Sequence, residues 1–314
     1  RYAKWKGVEL IVHCETGGDA PFFEQRMDSA FALYRRLGIR YVKTGYAGAA
    51  RPIGEHLFGQ GMVEHFQKVV ETAAKYELML DVHECIQPTG LERTWPNLMT
   101  GESVRGQEWE AWSAGHPASH TALLPFTRGL AGPMDYTPGI FDVDFSNRKE
   151  YTKWNGQEKE GILPRVHTSP IHQMALMVVL YSPLQMAADV ISNYEQSQEW
   201  KWFLSVFQPD YVNTKILYAE VGGPVVIARE QKNGVWVVGA IGTDKTHEIE
   251  FSWDSLHLEE FHQTYVMVEN PKYPDQLLLR GAEKKSPTEK VVLQPGGGTV
   301  WVIIPRPKRI LFDD

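Results

Sequence analysis

The apolar run Val8–Val12 ends in His13-Cys14-Glu15 and then Gly17-Gly18, the pattern of a buried strand emptying into a loop. Phe23, Met27, Ala30, Phe31, Tyr34 and Leu37 then recur at helical spacing, with Gly38 where a helix C-cap is expected. The pattern repeats. Ile39–Val42 predicts a short strand running into Lys43-Thr44-Gly45-Tyr46, and Met62–Tyr76 predicts a helix with Phe66, Val69, Val70 and Ala73 on one face. Leu78–Val82 predicts a third strand, ending at His83-Glu84. Strands alternating with helices imply parallel pairing, and right-handed crossovers put every strand's C-terminal end on the same side. His13, Glu15, Lys43, His83 and Glu84 are therefore expected on one rim.

The segment Cys85–His120 follows, rich in Pro, Gly, Trp and charge. It reads as one long loop, and loops of that length in compact domains usually serve function. Thr121–Leu130 and the helix-like run Ile171–Tyr181 continue the α/β pattern, with a further loop at Ala131–Arg165. Past Asn213 the texture changes to short strand-like runs, Val225–Ala228, Val235–Ala240, Glu248–Trp253, Tyr265–Val268 and Val300–Ile304, with Gly, Asn and Asp between them. Gly296-Gly297-Gly298 reads as a hairpin turn rather than a phosphate loop. The expected division is an α/β domain over residues 1–212 and a small all-β domain over 213–314.

With 314 residues, 43% hydrophobic and 23% charged, the chain is of ordinary globular composition. Its net charge of -7 leaves no basic surplus to neutralise phosphates, which argues against a nucleic-acid partner. The two cysteines, Cys14 and Cys85, exclude a disulfide framework and read as small packing residues. No apolar run reaches the roughly 18 residues that a membrane span needs, so no membrane partner is expected. Arg1–Lys6 lacks the look of a signal peptide.

Four glutamates are singled out by position: Glu15 and Glu84 at strand ends, Glu102 and Glu108 in the long loop. Glycoside hydrolysis with inversion needs one carboxylic acid to protonate the leaving oxygen and a carboxylate across the ring to activate water. Two of the four can supply that pair, and the others, as hard oxygen donors, suit calcium. Zinc is the competing reading, since His13, Glu15, His83 and Glu84 are acceptable ligands, but no His-Glu-x-x-His or Cys-x-x-Cys spacing occurs. A Gly-x-Ser-x-Gly elbow is also missing.

His13-Cys14-Glu15-Thr16, Val42-Lys43-Thr44-Gly45-Tyr46, Pro88-Thr89-Gly90 with Arg93-Thr94-Trp95-Pro96-Asn97-Leu98, Gly132-Pro133-Met134-Asp135-Tyr136-Thr137-Pro138-Gly139 and Tyr181-Ser182-Pro183-Leu184-Gln185-Met186-Ala187-Ala188-Asp189 resemble glycoside hydrolase family 97. The match is dense up to about Glu195 and looser beyond it. The resemblance implies an α/β fold: a (β/α)8 TIM-type barrel, of which this chain has the C-terminal portion, followed by a small all-β sandwich domain. It implies Glu108 as general acid, Glu15 and Glu84 as base carboxylates, and Glu84, Glu102 and Glu108 as Ca2+ ligands. His13, Lys43 and His83 match residues that contact the sugar.

Retaining members of the family carry an aspartate nucleophile where this chain has Gly45, so the chain resembles the inverting branch. The implied activity is release of glucose from the non-reducing end of an α-linked gluco-oligosaccharide. A retaining α-galactosidase and an inactive carbohydrate-binding homologue are the alternatives. Inversion predicts acid and base carboxyls roughly 6.5–9.5 Å apart. The resemblance further implies that an N-terminal β-sandwich and the first barrel strands complete the site from outside this sequence. The 314 residues alone are accordingly expected to be unstable or inactive. A periplasmic or secreted bacterial location is implied on the same basis.

Overall fold

Four parallel strands pair in the order in which they occur: β1 (Ile11–Glu15), β2 (Tyr41–Gly45), β3 (Met79–Val82) and β4 (Leu98–Gly101). They belong to the first of two compact units, Arg1–Gly106 with Arg128–Tyr136 and Ser182–Leu184; the second comprises Gln107–Thr127, Thr137–Tyr181 and Gln185–Asp314. The computed structural model describes residues 2–48, 50–54, 56–111, 113–143, 153–154, 157–158, 165–258, 262–282 and 287–305.

Two helices follow the first two strands, α1 (Ala20–Arg36) and α2 (Gln60–Lys75). Asp19 caps α1 by accepting from the Phe22 amide at 3.0 Å, and Pro21 sits in the first turn, where no intrahelical donor is needed. Beyond its basic last turn the chain leaves through Gly38 at φ 79°. Phe23, Met27 and Phe31 of α1 join Met62, Phe66, Val69 and Val70 of α2 in one core with Val42, Leu80 and Val82. Cys85 lies in this core and Cys14 packs against it. Both thiols are free, and burial pushes Cys85 up to about 11, so neither is poised as a nucleophile.

Two sequence expectations need correcting here. β1 begins three residues after the apolar run does and contains His13, Cys14 and Glu15, so Glu15 is the last residue of a strand. The expected loop 85–120 holds β4, the fourth strand of the parallel sheet. Glu102 therefore leaves a strand end, as Glu84 nearly does.

The second unit holds α3 (Ala118–Leu123), α4 (Pro170–Val179), α5 (Gln198–Val206) and, from Tyr211 onward, eight antiparallel strands among its described residues. These are β5 (Tyr211–Ala219), β6 (Val225–Gln231), β7 (Trp236–Ile241), β8 (His247–Ser252), β9 (His262–Asn270), β10 (Tyr273–Ala282), β11 (Thr288–Leu293) and β12 (Gly298–Pro305). Six form a sheet ordered β10-β9-β12-β7-β6-β5, while β8 pairs with β11. Val238, Trp301 and Ile303 of the larger sheet share a core with Ile249, Phe251 and Leu293 of the smaller.

Every residue of α4 is buried, which explains its unbroken apolar character. Ser169 caps its start, and Arg229 closes its end by donating from Nε to the Val178 carbonyl at 2.6 Å and from Nη2 to that of Val179 at 3.1 Å. The three glycines at 296–298 are not a hairpin, because β11 and β12 lie in different sheets. Gly296, at φ 67°, turns the chain from one sheet to the other, and its carbonyl accepts from the Ser169 amide at 2.9 Å.

Candidate active site

The parallel register sets Glu15 directly opposite Gly45 at the C-terminal edge of the first sheet. Glu15 Oε1 accepts from the Gly17 amide at 2.9 Å, and its Oε2 lies 3.5 Å from His13 Nε2. A Cβ built on Gly45 would collide with Glu15 Oε2 and stand 2.8 Å from His13 Nε2. The glycine therefore does more than bend the strand into its loop: its bare Cα makes room for this carboxylate.

Glu84 lies two residues past β3 with φ 46°, a left-handed conformation that costs a glutamate energy. Its Oε2 accepts from the Tyr46 amide at 2.8 Å, and its own amide donates to Glu102 Oε2 at 3.1 Å. The Glu84 carboxylate is thus tied to the backbone just past β2, and the Glu102 carboxylate to the backbone of Glu84. Glu102 is 7% exposed. Burial pushes its carboxyl above the usual range, and the Glu84 charge adds to that, against the pull of His83 and the Glu84 amide.

Arg128 fixes this corner from below. Its guanidinium donates to four backbone carbonyls, those of Gly101 (2.9 Å), Glu102 (3.2 Å), Gly132 (3.2 Å) and Pro133 (2.8 Å). The first two carbonyls are the last of β4 and the one just beyond it, and the last two immediately precede Met134-Asp135.

A polar row crosses the sheet beside these groups. His13 registers with Lys43, Lys43 with Asp81, and Asp81 with Thr100, so the four share the face opposite Val42 and Leu80. Lys43 Nζ lies 3.0 Å from Asp135 Oδ2 and 3.4 Å from Asp81 Oδ2, and His83 Nε2 lies 2.6 Å from Asp135 Oδ2. Asp81, at 0% exposure, is pushed up to about 8 by burial and by Asp135 beside it. Asp135 is equally buried, yet the bond to His83 and the Lys43 charge outweigh burial and hold it far below the carboxylate range. Burial alone would lower Lys43 and His83, but Asp135 outweighs it and raises both.

Asp81, His83 and Asp135 offer ligand atoms within 4.8 Å of one another. The Lys43 ammonium already supplies the cation there, which argues against a metal in that triad.

Six of the seven sequence-derived residues lie in the first unit. Glu15 with His13, and Glu84 with Glu102 and His83, are linked by the contacts above, and Lys43 joins His83 through Asp135. Glu108 belongs to the second unit, exposed, in the single helical turn Gln107–Glu110. Asp81 and Asp135 were missed as site residues. A signal for Asp81 existed, since a charge inside the strand Leu78–Val82 must find a partner when buried.

The family model of glycoside hydrolase 97 matches residues 1–104. A retaining alpha-galactosidase of Bacteroides thetaiotaomicron is 30% identical over 302 residues, covering 95% of this chain and 42% of that protein. A protein of Streptomyces bingchenggensis named as a probable retaining alpha-galactosidase is 27% identical over 249 residues, covering 79% of this chain and 34% of its own length. Among solved structures, a variant of a glycoside hydrolase family 97 enzyme from Pseudoalteromonas in complex with panose superposes with a TM-score of 0.86 at 33% identity, over 98% of this chain and 48% of that one. The same enzyme in complex with acarbose gives 0.85 over the same shares. The chain thus spans less than half the length of these relatives. Motifs, parallel sheet and these likenesses agree, and the chain belongs to glycoside hydrolase family 97.

Proposed function

We propose that this chain carries catalytic residues of an exo-acting α-glucoside hydrolase that releases glucose from the non-reducing end with inversion. The observation that carries the reading is the pairing of Gly45 with Glu15. Retention needs a carboxylate nucleophile, whereas inversion needs a carboxylate that activates water across the sugar ring. Gly45 has no side chain to attack with, and Glu15 stands where one would begin. In this reading Glu15 and Glu84 are the base carboxylates and Glu108 the general acid. His13, Lys43 and His83 contact the sugar. Complexes of the related Pseudoalteromonas enzyme with panose, an α-linked glucose trisaccharide, and with acarbose support a gluco-configured substrate.

The names of the two curated relatives favour a second reading, a retaining α-galactosidase. One experiment separates them. The full-length protein is given p-nitrophenyl α-glucoside and the matching galactoside, and NMR reports the anomer first released. Glucose appearing as the β-anomer supports the proposal; galactose appearing as the α-anomer establishes the rival.

Calcium belongs to the same reading. Glu84 and Glu102 are hard oxygen donors already held close, and a buried Glu102 charge is costly unless a cation offsets it. Glu84 and Glu102, with Glu108, would hold the ion. When bound, it would neutralise the crowded carboxylates and fix their positions. The complete barrel, the C-terminal sandwich, an N-terminal β-sandwich and a periplasmic or secreted location are parts of the proposal too.

A further inference from the structure

The polar row contains a carboxyl group that the proposed chemistry leaves idle. Asp81 is fully buried in the middle of β3, between Leu80 and Val82, which point to the helix-packed core. Among the described residues neither of its oxygens has a hydrogen-bond partner; Lys43 Nζ lies at 3.4 Å and His83 Nε2 at 3.8 Å, with Asp135 beside them. Burying a carboxyl on those terms costs stability, and an apolar residue of similar size would fill a sheet interior more cheaply. What the carboxyl does accomplish is geometric. Lys43 has a flexible stem with a freely turning ammonium, and a lysine held by one acceptor can swing about it. With Asp81 on the neighbouring strand and Asp135 on the covering loop, Nζ is held from two directions, while the Lys43 side chain keeps 21% of its surface open.

We infer that Asp81 is a positioning residue for sugar binding, holding Lys43 between itself and Asp135 so that the open side of the ammonium faces the hydroxyls of the bound sugar. The inference rests on the proposed assignment of Lys43 to the sugar. It predicts that Asp81 matters through Lys43, and that its loss weakens binding more than it slows the chemical step, as for an interaction made equally in ground and transition states.

The test uses the full-length protein with a simple α-glucoside for kinetics and acarbose for calorimetric affinity. Asp81→Asn keeps the shape and replaces the carboxyl by an amide. Its KM and the acarbose Kd should each rise about tenfold, with kcat falling by less. Lys43→Met should do at least as much, and the double variant should be no worse than Lys43→Met alone, since both act on one contact. Losses that multiply in the double variant, or an Asp81→Asn protein that binds acarbose as the parent does, overturn the inference. If Asp81→Asn does not fold by circular dichroism, Asp135→Asn replaces it in the same cycle with Lys43→Met, and the same non-additivity is required. A parent protein that neither turns over nor binds acarbose removes the hydrolase reading, and this inference with it. Turnover in the parent with unchanged affinity in the variant removes the inference alone.

Discussion

The carboxylate of Glu15 occupies the space that a side chain on Gly45 would need, the two residues facing each other at the ends of paired parallel strands. Gly45→Ala should therefore displace Glu15 without enlarging or emptying the core. If Glu15 is a base, activity should fall at least about 100-fold, the scale of one well-placed general base, while the thermal midpoint moves little. A variant retaining activity within a few-fold would take Glu15 out of the chemistry.

Calcium should be visible in stability as well as in rate. Chelation should lower the melting temperature of the full-length protein, and add-back should restore it, by about 3 kcal/mol when the ion is at a hundred times its Kd. Glu102→Gln should blunt that response. Differential scanning calorimetry with and without chelator checks this independently of turnover.

Arg128 offers a stability test. Its guanidinium serves four carbonyls around the β4 end and the strand-covering loop. Arg128→Ala leaves buried acceptors without partners and should cost about 3 kcal/mol, read as a lower urea midpoint. Arg128→Lys should recover only part of it, because a single ammonium cannot span the four.

His172 predicts a pH dependence in the second unit. Its ring is wholly buried, within 3.0 Å of the Gly297 carbonyl and 2.9 Å of Thr121 Oγ1, and burial pushes it from 6.5 down to about 4. Between those values the unfolded chain binds a proton that the folded one refuses. Stability should therefore be fully present above about pH 6.5 and decline toward pH 4, by about 3 kcal/mol for this group. His172→Gln should flatten the slope of unfolding free energy against pH in that window, by about one proton.

The sequence made the rim legible because strand and helix periodicity, with right-handed connections, leaves little choice about where strands end. It hid β4 because Leu98-Met99-Thr100-Gly101 is short, carries no clear alternation and sits among Pro, Trp and charge. Losing that strand also misplaced Glu102 in a loop. Asp81 escaped because an alternating strand with both faces covered reads as one apolar run, and its ion-pair neighbour Lys43 lies 38 positions away along the chain. The glycines at 296–298 were read by local turn chemistry, whereas their role depends on which sheet each flanking strand joins. In each case the deciding contact is distant in sequence.

Glu84 places durability and activity in opposition at one position. Its left-handed backbone suits glycine or asparagine better, and Glu84→Gly would relax about 1 kcal/mol of strain while deleting a carboxylate from the rim. Selection for heat resistance alone would drift toward that exchange and yield a sturdier protein with a disarmed site.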